Sequence, residues 1–209
     1  MPSLTVSDEV RVLYAPFRTY RELVDEALAE AASAAPTRAS WSRIVPKVLV
    51  THLVVAATIS MITAGRFVAL HVAMVALAWG FAPFIQIAAA VLLRLARPRR
   101  LASAHAARLE LTGNGALLAF LLALDASIAL SSGALYDSLF SSGAIGVVAL
   151  AALVAGGTAG FAFNRACGCS RGRALGLVLT EWLVRGLLVL PWYQVMNNLI
   201  PQVFGGGSR

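Results

Sequence analysis

Charged residues are scarce in this sequence. Only 13% of its 209 residues are Asp, Glu, Lys or Arg, whereas a typical soluble domain carries about 25%. Negatively charged residues are fewer than positively charged ones, ten against seventeen. Hydrophobic residues make up 59% of the chain. Such a chain has too little polar surface to face water on all sides, which excludes an ordinary soluble domain. We therefore expect lipid to be the solvent around most of it.

Enzyme signatures are missing as well. The sequence contains no glycine-rich phosphate loop ending in Lys-Ser or Lys-Thr, no His-Glu-x-x-His motif and no Gly-x-Ser-x-Gly turn. Its two cysteines, Cys167 and Cys169, are too few to complete a zinc site with four ligands. The prediction is a protein with no enzymatic activity, no metal and no cofactor.

Long apolar runs fill the sequence between Lys47 and Val195. A helix needs roughly 20 residues to cross a bilayer core of about 30 Å, and the runs reach that length. They predict an all-α, polytopic membrane helix bundle over residues 41–196. The five predicted transmembrane spans are 44–64, 67–93, 113–132, 142–163 and 174–195. Because the second contains Gly80 and Pro83, it is expected to kink or tilt, or to divide into a span and a re-entrant piece.

The basic residues collect in every second gap between the spans. Fourteen of the seventeen lie before the first span or at its start, after the second, or after the fourth. The positive-inside rule then predicts a cytoplasmic N-terminus and an exported C-terminal tail, residues 197–209. His105, in the gap after the second span, is expected to be solvated. Since membrane orientation explains the net charge of +7, the bilayer is the predicted partner and nucleic acid is not.

Residues 1–40 are the one stretch that resembles a soluble segment. Apolar residues recur at three- and four-residue steps over residues 16–32, which predicts a short amphipathic helix. The opposite face is rich in acids, whereas a helix lying on anionic lipid would carry Lys or Arg there. We expect it to dock on the cytoplasmic ends of the spans or on a partner, with residues 33–40 as a linker. Residues 1–14 lack an apolar core, so no cleavable signal peptide is expected.

A short motif lies within this helix and just before it. Residues 13–17 are Leu-Tyr-Ala-Pro-Phe, and residues 19–23 are Thr-Tyr-Arg-Glu-Leu. Together with five spans and a cytoplasmic N-terminus, the motif resembles the YIP family of membrane proteins. Its Pro-Phe step followed by Arg-Glu-Leu resembles the bacterial members, whereas the Asp-Leu-Tyr-Gly-Pro of eukaryotic members is altered at Val12 and Ala15.

The resemblance implies a non-enzymatic, multi-pass protein of the bacterial cytoplasmic (inner) membrane that scaffolds or organises partners. The GTPase role of eukaryotic members does not carry over, because bacteria lack vesicle traffic. An unknown membrane or cytoplasmic protein would dock on the motif and the amphipathic helix. The predicted docking residues are Leu13, Tyr14, Pro16, Phe17 and Tyr20.

Three ionisable residues fall inside the predicted spans: Asp125, Glu181 and Arg185. Glu181 and Arg185 are four residues apart and share a helix face. Asp125 and Arg185 both lie roughly 17 Å from the cytoplasmic edge, which predicts a bond between the third and fifth spans. Gln86 has the depth of Glu181 and is expected to hydrogen-bond to it.

This intramembrane polar cluster allows two interpretations. It is either a structural knot that locks helices together, or a proton or ion relay. A relay would make the protein a small transporter or a transporter subunit, which is the alternative to the scaffold. Separately, Gly156 and Gly160 form a small-xxx-small pair in the fourth span, which predicts close helix packing within the bundle or in a homo-oligomer.

Overall fold

A computed structural model describes residues 7–32, 44–64, 67–79, 82–131, 137–138, 141 and 143–204. The described residues are mainly helical, which confirms the predicted all-α class. The elements are α1 (Asp8–Tyr14), α2 (Pro16–Ala32), α3 (Ile44–Ala64), α4 (Ala69–Trp79), α5 (Ala82–Leu93), a 3-10 turn (Arg94–Ala96), α6 (Ser103–Thr112), α7 (Gly115–Ser131), α8 (Ala144–Ala166) and α9 (Arg171–Phe204).

Three of these helices are long and apolar enough to cross a membrane. They are α3 over Ile44–Ile62, α8 over Gly146–Ala166 and α9 over Arg171–Trp192. The pair α6 and α7, bent by 42°, would add a fourth span if the two were counted together. Only 22% to 33% of each long window is buried inside the protein, so most of the surface of these helices is left for lipid. These helices indicate a membrane protein, and the count of five spans stays a prediction.

Two described helices lie within the predicted second span, α4 (Ala69–Trp79) and α5 (Ala82–Leu93), and neither exceeds 12 residues. Residues 80–81, between them, lie outside the described residues. The expected kink or tilt, and the alternative of a span with a re-entrant piece, therefore stay predictions.

The largest difference from expectation concerns the gap after the second span. Residues 103–112 form α6, and every residue from Ala104 to Thr112 is buried. His105, expected in solvent, is 4% exposed and lies with its Nε2 2.8 Å from Glu30 Oε2 of α2. A concentration of basic residues indicates the side of the membrane, but it does not distinguish a solvated loop from a helix covered by another segment.

α1 and α2 cover α6. We call the region where they pack on α6 and on the end of α8 the capped end of the bundle. The apolar face of α2 is buried against α6 and the end of α8, in a cluster that includes Leu109 and Phe163. The buried residues of α2 are Thr19, Tyr20, Leu23, Val24 and Ala27. Their three- and four-residue spacing puts them on one face, so the amphipathic pattern is explained by packing against the chain's own helices.

α1 is held on the bundle by a close backbone approach. A Cβ atom at Gly115, the first residue of α7, would lie 2.7 Å from the carbonyl oxygen of Glu9, so any larger residue would push α1 away. Lys47 of α3 adds hydrogen bonds to the Glu9 carboxylate and to Thr112 Oγ1, the latter at 3.0 Å. Two helices of the bundle, α3 and α7, therefore fix the position of α1.

The glycines of α8 face α9 in a different pair from the one expected. A Cβ atom at Gly157 would lie 3.2 Å from the Trp182 ring, and one at Gly160 would lie 3.4 Å from a Val178 methyl group. A Cβ atom at Gly156 would have nothing within 4 Å. Gly160 therefore packs against a helix as predicted, whereas Gly156 opens into a cavity, because α9 lies along the face that carries positions 157 and 160.

Candidate functional site

A cluster of charged side chains is buried between α6, α8, α9 and the segment after α5. Arg97 is 2% exposed, and its Nε donates a hydrogen bond to Asn164 Oδ1 at 2.7 Å. Its guanidinium carbon lies 4.3 Å from the centre of the Phe163 ring, a cation–π contact. Its Nη2 lies 3.6 Å from Glu110 Oε2, which makes an ion pair without a hydrogen bond.

Glu110 connects Arg97 to the pair predicted on α9. Its Oε1 accepts a hydrogen bond from Arg185 Nη2 at 3.0 Å, and the same nitrogen bonds to Glu181. Glu110 is 7% exposed and Glu181 is 3% exposed, so both carboxylates depend on these partners. Two guanidinium groups and two carboxylates alternate here, and the four-residue ion cluster carries no net charge. Such pairing is what an ionised group at bilayer depth requires.

A pair of amides borders the ion cluster. Gln86 Nε2 donates to Asn114 Oδ1 at 2.8 Å, and Asn114 Nδ2 donates back to Gln86 Oε1 at 2.9 Å. Gln86 also reaches the backbone oxygen of Glu110 at 3.5 Å. The expected hydrogen bond between Gln86 and Glu181 is therefore replaced by bonds to Asn114, in the turn between α6 and α7, although Gln86 and Glu181 line the same cavity.

Asp125 lies apart from the ion cluster, contrary to the predicted bond with Arg185. Its Oδ2 accepts a hydrogen bond from Thr58 of α3 at 3.0 Å. The neighbouring Leu124 and Ile128 pack on Met61, also of α3, so this face of α7 is turned away from α9. Equal depth along two helices does not determine which face of each helix a side chain occupies.

Two cavities meet at this polar region. The larger, about 280 Å³, lies between α7, α8 and α9, with Glu110, Glu181 and Arg185 in its wall. The smaller, about 180 Å³, reaches Thr51 and His52 of α3. Both are lined by Gln86, Asn114, Leu117 and Arg185. The amide pair, one leucine and one arginine therefore form the partition between them.

The predicted docking residues divide into a buried and an exposed set. Tyr20 is 1% exposed; its hydroxyl donates to the Leu109 carbonyl oxygen at 3.2 Å, and its ring stacks on Phe163 with centroids 5.3 Å apart. Burial raises the pKa of Tyr20 well above its usual value. Tyr20 is thus not available to a partner, which corrects its assignment as a docking residue: the apolar face that the sequence marks is the face turned inward.

The remaining docking residues lie on the outer surface of α1 and α2. Leu13, Tyr14 and Phe17 are 41%, 67% and 49% exposed, and Pro16 is half-buried. Phe17 also meets Phe161 of α8 edge to face, with ring centroids 6.2 Å apart. Of the predicted docking residues, Tyr20 is therefore buried in the chain's own core, whereas Leu13, Tyr14 and Phe17 are exposed on its surface.

Both cysteines are buried at the capped end, and we expect neither to react in the folded protein. Burial raises the pKa of Cys167 to about 12 and also raises that of Cys169, so both are thiols at neutral pH, whereas the thiolate is the reactive form. Maleimide at pH 7 should label neither until the protein is denatured. The control is Ser170→Cys, which adds a thiol at an exposed neighbouring position and should label at once. Rapid labelling of the native cysteines would contradict this burial.

Within the ranges that the structure describes, no three His, Cys, Asp or Glu side chains are grouped as metal ligands. No family model matches the chain, and no curated protein or solved structure matches it.

Proposed function

We propose that this chain is a non-enzymatic scaffold of the bacterial cytoplasmic membrane, similar to bacterial YIP-like proteins. Its N-terminus is cytoplasmic, its C-terminus is exported, and its partner is another integral membrane protein. The positive-inside distribution of charge supports the orientation. The observation that carries the proposal is an exposed apolar stripe on a firmly held segment at the capped end.

The stripe consists of Val10, Leu13, Tyr14 and Phe17, each between 41% and 67% exposed. Val10, Leu13 and Tyr14 share one face of α1, and Phe17 follows in the first turn of α2, beyond the non-helical Ala15. The segment beneath is anchored by Tyr20 and by the contact of Glu9 with Gly115, so the stripe is preformed. A preformed apolar surface with an aromatic centre is typical of a protein-binding site.

The position of the stripe favours a partner within the membrane. Phe17 contacts Phe161, which lies inside the apolar window Gly146–Ala166 of α8. The stripe is therefore continuous with the lipid-facing side of α8, where Leu150 and Val154 are 62% and 59% exposed. A second membrane helix could cover both surfaces at once, whereas a soluble partner would meet only the N-terminal part.

The ion cluster supports a bundle whose helices keep a fixed arrangement. Four groups of alternating charge pair with one another, as expected of a knot that fixes helices α6 and α9 relative to the segment after α5. A scaffold requires such a fixed arrangement, because the surface that it presents must keep its shape.

The test is a photo-crosslinking amino acid placed at Tyr14 in living cells. We expect one discrete protein adduct, and we expect Leu13→Asp in the same chain to remove it while membrane insertion is unchanged. The control position is Leu187, which is 58% exposed on α9 and should give no discrete adduct. An adduct at twice the mass of the chain would identify a second copy as the partner. Lipid adducts alone at both positions would refute the scaffold.

A second candidate, a small transporter or transporter subunit, is favoured by one observation. The two cavities meet at a thin partition formed by the Gln86–Asn114 pair, Leu117 and Arg185. If the partition opened, a solute could pass from one cavity to the other. In that case Arg185 would be part of a gate, and its replacement would change flux in a protein that still folds.

A further inference from the structure

The larger cavity has the size and the walls of a ligand site. Its volume of about 280 Å³ is close to the lower end of the range of small-molecule pockets, about 300 Å³. It lies between α7, α8 and α9, with its polar end at the ion cluster. Along the other walls, Leu117, Phe120, Leu153 and Trp182 supply apolar surface. The cavity is thus amphipathic along its length.

The small residues of α8 keep the cavity open. Ala149, Ala152, Gly156 and Gly160 line it in succession, and their spacing places them on one helix face. A Cβ atom at Gly156 would meet nothing within 4 Å. The space beside Gly156 is therefore large enough for a side chain, or for part of a ligand, without displacing a neighbour.

The polar end of the cavity has both hydrogen-bond donors and hydrogen-bond acceptors. Glu110 and Arg185 line the cavity. Glu110 Oε2, 3.6 Å from Arg97 Nη2, and Arg185 Nε make no hydrogen bond to the described residues. Because the four charges of the ion cluster cancel, the site does not favour a ligand of either net charge. The complementary head group is uncharged and both donates and accepts hydrogen bonds.

We propose that this cavity binds a neutral, single-chain amphiphile, with its hydroxyl-bearing head at Glu110 and Arg185 and its apolar chain along α8, past Gly156 toward Ala149. The proposal goes beyond the scaffold role and does not depend on it, because the stripe of Leu13, Tyr14 and Phe17 lies on the outer surface. A monoacylglycerol has the required head and chain.

The test uses purified full-length protein in phosphatidylcholine vesicles, titrated with a monoacylglycerol brominated on its chain. Bromine quenches nearby tryptophan, so we expect saturable quenching that is absent in Trp182→Phe. Gly156→Leu fills the cavity and should raise the concentration for half-quenching by about tenfold or more, equivalent to about 1.4 kcal/mol. The matched control is Gly146→Leu, on the same helix at an exposed position with nothing within 4 Å, and it should bind as the native chain does.

Three results would overturn the proposal. The first is quenching that rises linearly with bromolipid and never saturates, which is the behaviour of bulk lipid. The second is equal quenching in the Gly156→Leu and Gly146→Leu proteins. The third is tighter binding of a brominated fatty-acid anion or a brominated phosphatidylcholine than of the neutral amphiphile, which would place a charged or two-chain lipid there. Thermal unfolding of both variants verifies that each is folded.

Discussion

Arg185→Met is expected to remove most of the folded protein. Methionine keeps an unbranched apolar stem but leaves Glu181 without its cation and leaves Glu110 with Arg97 alone, at 3.6 Å. Both carboxylates are almost fully buried. Removing one partner of a buried ion pair costs about 3–5 kcal/mol of the free energy of unfolding, which is a large share of the stability of a typical protein. Yield and thermal unfolding in mild detergent measure the loss.

A second substitution distinguishes a knot from a relay. Glu181→Gln together with Arg185→Met leaves Arg97 and Glu110 as a balanced pair, so we expect this double variant to regain part of the lost stability. The control is Asp125→Asn, which alters a carboxyl group that bonds to Thr58 and not to the cluster, and it should change stability little. If Arg185→Met folds normally but alters proton flux in proteoliposomes, the cluster is a relay and the transporter becomes the better explanation.

Tyr20→Ala is expected to release α2 from the capped end. The change removes a ring stacked on Phe163 and a hydrogen bond to Leu109, and truncating a buried aromatic residue costs about 3–5 kcal/mol. α2 bonds to the bundle mainly through this one face, so the loss should appear as local undocking. Limited proteolysis within residues 7–32 and hydrogen exchange of α2 report it, and both should increase strongly.

The matched control for this substitution is Tyr14→Ala. Tyr14 is 67% exposed, and a surface change of this kind alters stability by about 0.5 kcal/mol or less. Its proteolysis and exchange should equal those of the native chain, although the scaffold proposal expects it to weaken crosslinking to a partner. Equal protection of α2 in the two variants would contradict the role of Tyr20 as the anchor of the cap.

The sequence was sufficient for properties that are local along the chain. The helical class follows from long apolar runs, and the contact of Glu181 with Arg185 follows from a four-residue spacing on one helix. The face of α2 that is buried was also marked by its apolar spacing. The sequence did not indicate what covers that face, because the same apolar pattern fits packing against a partner protein and packing against the chain's own helices.

The rest of the site depends on long-range packing. Glu110 stands between two leucines, Leu109 and Leu111, in a segment with several basic residues, and nothing local indicates that it would be buried. Its role appears only when α2 covers α6 and when α9 brings Arg185 to it. The predicted bond of Asp125 with Arg185 is wrong for a related reason: the rotation of a helix about its axis is set by neighbours such as Met61, which the sequence does not identify.

The buried position of Tyr20 determines when α2 can dock during biosynthesis. Its hydroxyl bonds to a backbone oxygen 89 residues further along the chain, and its ring rests on Phe163. Residues 7–32 leave the ribosome before the surface that receives them, which is complete only after α8 has been made. The apolar face of α2 must therefore stay uncovered until then, and closing the cap is a late step of maturation.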